Sequence, residues 1–104
     1  MTSLIQFYVP DSHCEAVKAA LFAVGAGRME QYEHVCWQCE GQGQFRPLAG
    51  SHPFLGKHDV LKRVTEWKVE MICADELVEQ AVAALLQHHP YETPAYAVIK
   101  MAHE

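Results

Sequence analysis

Residues 88 to 96 read HHPYETPAY, placing two histidines, a glutamate and two tyrosines within nine positions. Imidazole and carboxylate groups so close together can hold a divalent cation, and a phenol beside them can hydrogen-bond a small ligand. His89 and Glu92 are the candidate metal ligands of this stretch, and Tyr91 is a candidate ligand contact. A structural explanation covers most of the motif as well. His88 and His89 fall where a helix would end, Pro90 stops that helix, and Tyr91 with Pro94 can cover the corner before the next strand. Glu92 is left unexplained by that reading.

Cys36-Trp37-Gln38-Cys39 matches the C-x-x-C spacing of redox pairs and zinc knuckles. In a strand, however, positions i and i+3 point to opposite faces, and no second C-x-x-C completes a tetrahedral site. His34 and Cys36 share a face of the same expected strand, so the two could contribute ligands to a metal held between subunits. Gly41-Gln42-Gly43-Gln44-Phe45-Arg46 is neither a Walker A loop nor a dinucleotide fingerprint, because no lysine-serine pair follows and it does not open a helix after a strand. Its glycines read as a turn, and Arg46 is the candidate anion contact. His52, before Pro53, reads as an exposed loop residue.

The elements that must position these groups follow from periodicity. SLIQFYV (3 to 9) is β-rich and stops at Pro10. Ser12 and Glu15 fit a capping box, and Cys14, Val17, Leu21 and Val24 recur at helical spacing, which predicts a helix over 12–24 that ends at Gly25 and Gly27. A second strand is expected over 31–40. In TEWKVEMICA (65 to 74), Trp67, Val69, Met71 and Cys73 alternate with Glu66, Lys68 and Glu70, the pattern of a half-buried strand. Asp75 can cap a second helix that reaches about His88, and 95–101 is the last strand. Between the second and third strands, 41–64 is too long for a plain hairpin, and QFRPL within it can add a short strand.

The order βαββαβ predicts an α+β, ferredoxin-like fold, a four-stranded antiparallel sheet with two helices on one face, as one domain over 1–104. The other face would lack a cover. Trp37, Phe45 and Trp67 are the bulky groups expected there, and an uncovered apolar face marks an association surface.

The chain has 104 residues, of which 50% are hydrophobic and 20% charged, with a formal net charge of -5. That balance provides no electrostatic footprint for a nucleic acid. No stretch approaches the ~18 consecutive apolar residues of a membrane span, and MTSLIQFYVPDSH lacks the basic and apolar regions of an export signal. The chain therefore reads as cytoplasmic, with its four cysteines reduced.

The motifs also carry a family resemblance. HPYETPAY, preceded by EWKVEMIC and an amphipathic helix, resembles the corresponding corner of the CutA divalent-cation-tolerance proteins. The segment from FYVPDSHCEAVKAALFAVGAGRME through QYEHVCWQCEGQGQFRPLAGSHPFLG resembles the YqfO-type domain inserted in the Nif-three-like proteins. The resemblance implies a PII/CutA-like fold that assembles as a homo-oligomer, most often a trimer, with sheets facing one another around the axis. The dinuclear metal site of full-length Nif-three-like proteins belongs to a separate core and is not carried over. Nor is ATP binding in the PII manner, because HHPYETP has no glycine-rich phosphate cradle.

The expected function is a small oligomeric binding or regulatory module that holds a small ligand or a divalent metal ion at subunit clefts, with the question of enzymatic activity left open. The alternatives are a thiol-dependent redox or metal enzyme that uses Cys36 and Cys39, and a purely structural oligomer.

Overall fold

The computed structural model describes residues 1–102. Strand β1 (Thr2–Pro10) alternates strictly, with Ser3, Ile5, Phe7 and Val9 buried on one face. Pro10 leads into a 3₁₀ turn over Asp11–His13, and α1 spans Cys14–Ala23. The expected capping box is not made. Ser12 Oγ lies 2.8 Å from His13 Nδ1 and Glu15 pairs with Lys18 at 2.9 Å, while the tight turn satisfies the Cys14 amide on the Asp11 carbonyl. After α1 the Ala26 amide reaches back to the Leu21 carbonyl at 3.1 Å. Gly25 and Gly27, at φ 104° and 76°, supply the left-handed backbone that this helix end requires.

The second strand differs most from expectation. Residues 28 to 36 form a loop pinned by a Met29–Tyr32 bridge and by the Val35 amide on the Gly27 carbonyl at 2.8 Å. Strand β2 runs over Trp37–Phe45, so the glycine-rich stretch read as a turn is strand, and QFRPL forms no separate one. An edge strand pairs through its backbone alone, and β3 (Lys62–Ala74) offers partners all the way from Glu70 to Lys62. The connection between them shrinks to residues 46–61.

A second 3₁₀ turn (Asp75–Leu77) precedes α2 (Val78–His88), and β4 spans Tyr96–Lys100. Asp75 does not cap α2. Its carboxylate accepts from Ser3 Oγ at 2.7 Å and from Lys100 Nζ at 2.8 Å, tying β1 and β4 to the start of the helix.

The sheet order is β2-β3-β1-β4 with every pair antiparallel, and the two helices share one face, so the ferredoxin-like α+β class stands. Ile5, Phe7, Val9, Val69, Met71 and Cys73 face the helices and pack with Val17, Leu21, Ala81 and Leu85. Among the described residues, no helix is long and apolar enough to cross a membrane.

The register puts Trp37, Phe45, Tyr8 and Glu66 on the opposite, open face. Trp67 is not with them. It alternates with Glu66 and lies on the helix side, half-buried against the core, with Nε1 donating to Asp11 Oδ1 at 2.8 Å. The open face is consequently more mixed than three stacked aromatics would make it, because Lys68 and Glu70 also lie there, 3.7 Å apart.

Candidate functional site

At one end of the open face, the 46–61 loop and the corner after α2 fold toward the sheet and enclose a cavity of about 320 Å³. Tyr8 of β1, Gly43 and Phe45 of β2 and Glu66 of β3 form its floor. Phe54 and Pro53 of the loop and Tyr91 and Glu92 of the corner form its walls. The volume is within the range of pockets that take small molecules.

His89 fixes the corner. It is the C-cap of α2, in the extended conformation that a following proline imposes, and its side chain is buried at 6% exposure. Nε2 lies 2.6 Å from the Tyr8 carbonyl oxygen, which can only accept, so Nε2 carries the hydrogen. Nδ1, 3.1 Å from the Tyr91 amide, accepts that N–H. The ring is thus held as one neutral tautomer, and its burial lowers its pKa against the opposing pull of the Tyr8 carbonyl and the Glu66 charge.

The histidine expected to complement a helix dipole with positive charge is instead a neutral strut between helix end and β1. His88 stays exposed and turns its Nδ1 to the Ala84 carbonyl at 3.0 Å.

Tyr91 packs against His89 at the end of α2, with ring centroids 4.9 Å apart, as the sequence suggested. It also reaches across to the sheet, where its hydroxyl donates to Glu66 Oε2 at 2.7 Å. Burial, followed by the hydrogen bond to Glu66 and its charge, raises the phenol pKa far above its usual value. The phenol therefore remains a donor throughout the physiological range. Tyr91 also lies near Phe45 and Phe54, with ring centroids 6.1 and 6.5 Å away. Glu92 Oε1 accepts the His52 amide at 3.0 Å, joining the corner to the loop.

Gly43 makes room for this arrangement. A Cβ at position 43 would run into the Glu66 carboxylate, which leans diagonally across the strand pair.

Of the residues singled out from sequence, Tyr91 and Glu92 line the cavity and His89 supports it from behind. Arg46 lies outside the lining, exposed and 3.6 Å from Asp59. His34 and Cys36 do not share a strand face, since both precede β2. They line a separate shallow groove beside α1, where His34 stacks on Phe22 with centroids 4.7 Å apart. Cys36 packs against the core, whereas Cys39 is exposed on the open face opposite Lys68; both are free thiols. Among the described residues, no three His, Cys, Asp or Glu side chains converge as a metal site.

Sequence reading missed Glu66, Gly43, Tyr8 and Phe54. The signal for the first two was available: a G-x-G inside a strand marks a close approach, and Glu66 falls on the face opposite Trp67.

No family model matches the chain. In sequence it is similar to a protein named GTP cyclohydrolase 1 type 2 homolog from Halalkalibacterium halodurans, 38% identical over 97 residues, a match covering 93% of this chain and 26% of that protein. The solved structure of a Bacillus cereus protein related to NIF3 superposes with a TM-score of 0.82 at 33% identity, over 97% of this chain and 26% of the other. The periplasmic divalent cation tolerance protein CutA from Archaeoglobus fulgidus superposes with a TM-score of 0.70 at 14% identity, over 100% of this chain and 87% of the other, a likeness of fold. The chain spans about a quarter of the length of the curated relatives it matches. The resemblance read from the motifs holds: the chain is homologous to a domain-sized part of Nif3-related proteins and has the CutA/PII-like fold.

Proposed function

We propose, from the kinship with Nif3-related proteins and the CutA-like fold, that residues 1–104 act as one binding or regulatory domain. It takes a small ligand in the cavity beneath the 46–61 loop and works in the cytoplasm as a homo-oligomer, a trimer by analogy with its fold relatives. The observation that carries this reading is the convergence of four chain segments, at Tyr8, 43–55, Glu66 and 91–95, on a cavity of about 320 Å³ in which His89 supports Tyr91 and Gly43 leaves room for the Glu66 carboxylate. The separation of Cys36 and Cys39 by the sheet speaks for a binding role over thiol redox chemistry.

A thermal-shift screen with metabolites of differing charge and with divalent metals tests the binding role. A specific ligand at ~100 times its dissociation constant adds about 2.7 kcal/mol of stability. Stabilisation should vanish when Ala95, a wall residue, is replaced by Trp to fill the space. Stabilisation that persists in Ala95→Trp would place binding elsewhere. Light scattering at micromolar concentration tests assembly, and a monomer there would remove the oligomeric part of the proposal.

A further inference from the structure

The cavity lining combines aromatic rings with carboxylates and contains no Lys, Arg or His side chain. Four rings, Tyr8, Phe45, Phe54 and Tyr91, border it, and Tyr91 stands between Phe45 and Phe54 at centroid distances of 6.1 and 6.5 Å. Two carboxylates, Glu66 on the floor and Glu92 on the wall, supply its formal charge. Each is held by a single neutral donor, Tyr91 Oη for Glu66 and the His52 amide for Glu92. Arg46 pairs with Asp59 at 3.6 Å and Lys68 with Glu70 at 3.7 Å, while Lys62, across from Phe45 on the open face, lies outside the lining. Among the described residues, neither Glu66 nor Glu92 has an ion-pair partner of its own.

We infer that the cavity is selective for a small organic cation, a primary or quaternary ammonium carried on an apolar or aromatic body, seated among the rings with its charge toward Glu66 and Glu92. Ring faces attract a cation through their quadrupole, and more strongly when the site is partly desolvated. The same walls repel the phosphates of a nucleotide, because two carboxylates and no base line the space. A divalent metal ion is a poorer match, since among the described residues no third His, Cys, Asp or Glu joins Glu66 and Glu92 to complete its ligand set. This ligand class rests on the proposed binding role of the same cavity.

The test compares three soluble probes of one shape, benzylammonium, benzyl alcohol and benzoate, by amide chemical-shift perturbation on the full chain. Benzylammonium should shift the amides of residues 43–45 and 91–95 and bind at least tenfold more tightly than benzyl alcohol, with benzoate weakest. Glu66→Gln keeps an acceptor for the Tyr91 hydroxyl, and so the fold, yet should weaken benzylammonium about tenfold and leave benzyl alcohol unchanged. Glu92→Gln, at the exposed rim, should weaken it about threefold. Equal or tighter binding of benzyl alcohol or benzoate at these residues would overturn cation selectivity while leaving a ligand cavity intact. Shifts from no probe would overturn both readings, and an unchanged benzylammonium affinity in Glu66→Gln would overturn the role given to that carboxylate.

Discussion

The hydroxyl of Tyr91 meets the carboxylate of Glu66 at 2.7 Å, joining the corner after α2 to the open face of β3, residues that lie 25 apart in sequence. Through this bond the HPYE corner is part of the cavity, and not only the end of a helix. Tyr91→Phe removes the donor and keeps the ring. It should cost about 1 kcal/mol, less than a fully buried charged hydrogen bond because Glu66 is half-exposed and water can replace the phenol. A urea denaturation series on Tyr91→Phe, Glu66→Ala and the double variant should show non-additivity; strictly additive costs would mean that the bond is not formed in solution.

His89 makes stability depend on mild acid. Its folded-state pKa is lowered, chiefly by burial, so the native state binds fewer protons than the unfolded chain. The stabilisation is complete above the unfolded value of about 6.5 and is lost as pH falls through the folded value. Protonation of Nδ1 also places a hydrogen against the Tyr91 amide that it now accepts. The melting temperature should fall from pH 7 to pH 5, and His89→Ala should flatten that limb while costing about 2 to 3 kcal/mol at neutral pH. A cost near 0.5 kcal/mol, the size of an exposed helix-end charge effect, would contradict the buried strut.

Gly43 and Gly41 occupy equivalent alternating positions of β2, yet only one is confined. An added Cβ at Gly41 meets nothing within 4 Å, whereas at Gly43 it meets the Glu66 carboxylate. Gly41→Ala should be nearly neutral, and Gly43→Ala should displace Glu66 and cost about 1 kcal/mol, most of it absent in a Tyr91→Phe background because both changes act on the same carboxylate. Comparable denaturation midpoints for the two alanine variants would show that Glu66 does not lie over Gly43.

Trp67 belongs to the helix-side core. Trp67→Ala should cost about 3 kcal/mol and Trp67→Phe about 1 kcal/mol, the latter through loss of the indole bond to Asp11 at 2.8 Å. Neither substitution should change the oligomeric state seen by light scattering. A change of assembly in Trp67→Phe would return this residue to the open face.

The thiols should separate by reactivity. Cys14 and Cys73 are buried, and desolvation raises both pKa values, so neither should react with an alkylating agent until the chain unfolds. Cys39, exposed on the open face, should react first. Mass mapping that finds Cys73 modified as fast as Cys39 would contradict the packing of β3.

The sequence by itself determined the βαββαβ order, the helix-facing set of β3 and the ends marked by Pro10 and Gly25, because local periodicity and backbone restrictions do not depend on distant partners. It misplaced β2 by about half its length, since an edge strand is chosen by the ladder that β3 offers, not by its own side chains. HPYE was legible as a candidate, but its chemistry was not. Only the tertiary structure brings Tyr8, Glu66 and Tyr91 together. Burial behind them turns His89 from an exposed cation into a neutral hydrogen-bonding strut. The charge state of a histidine depends on which atoms surround the ring, and those atoms come from residues 81 positions away as well as from its neighbour.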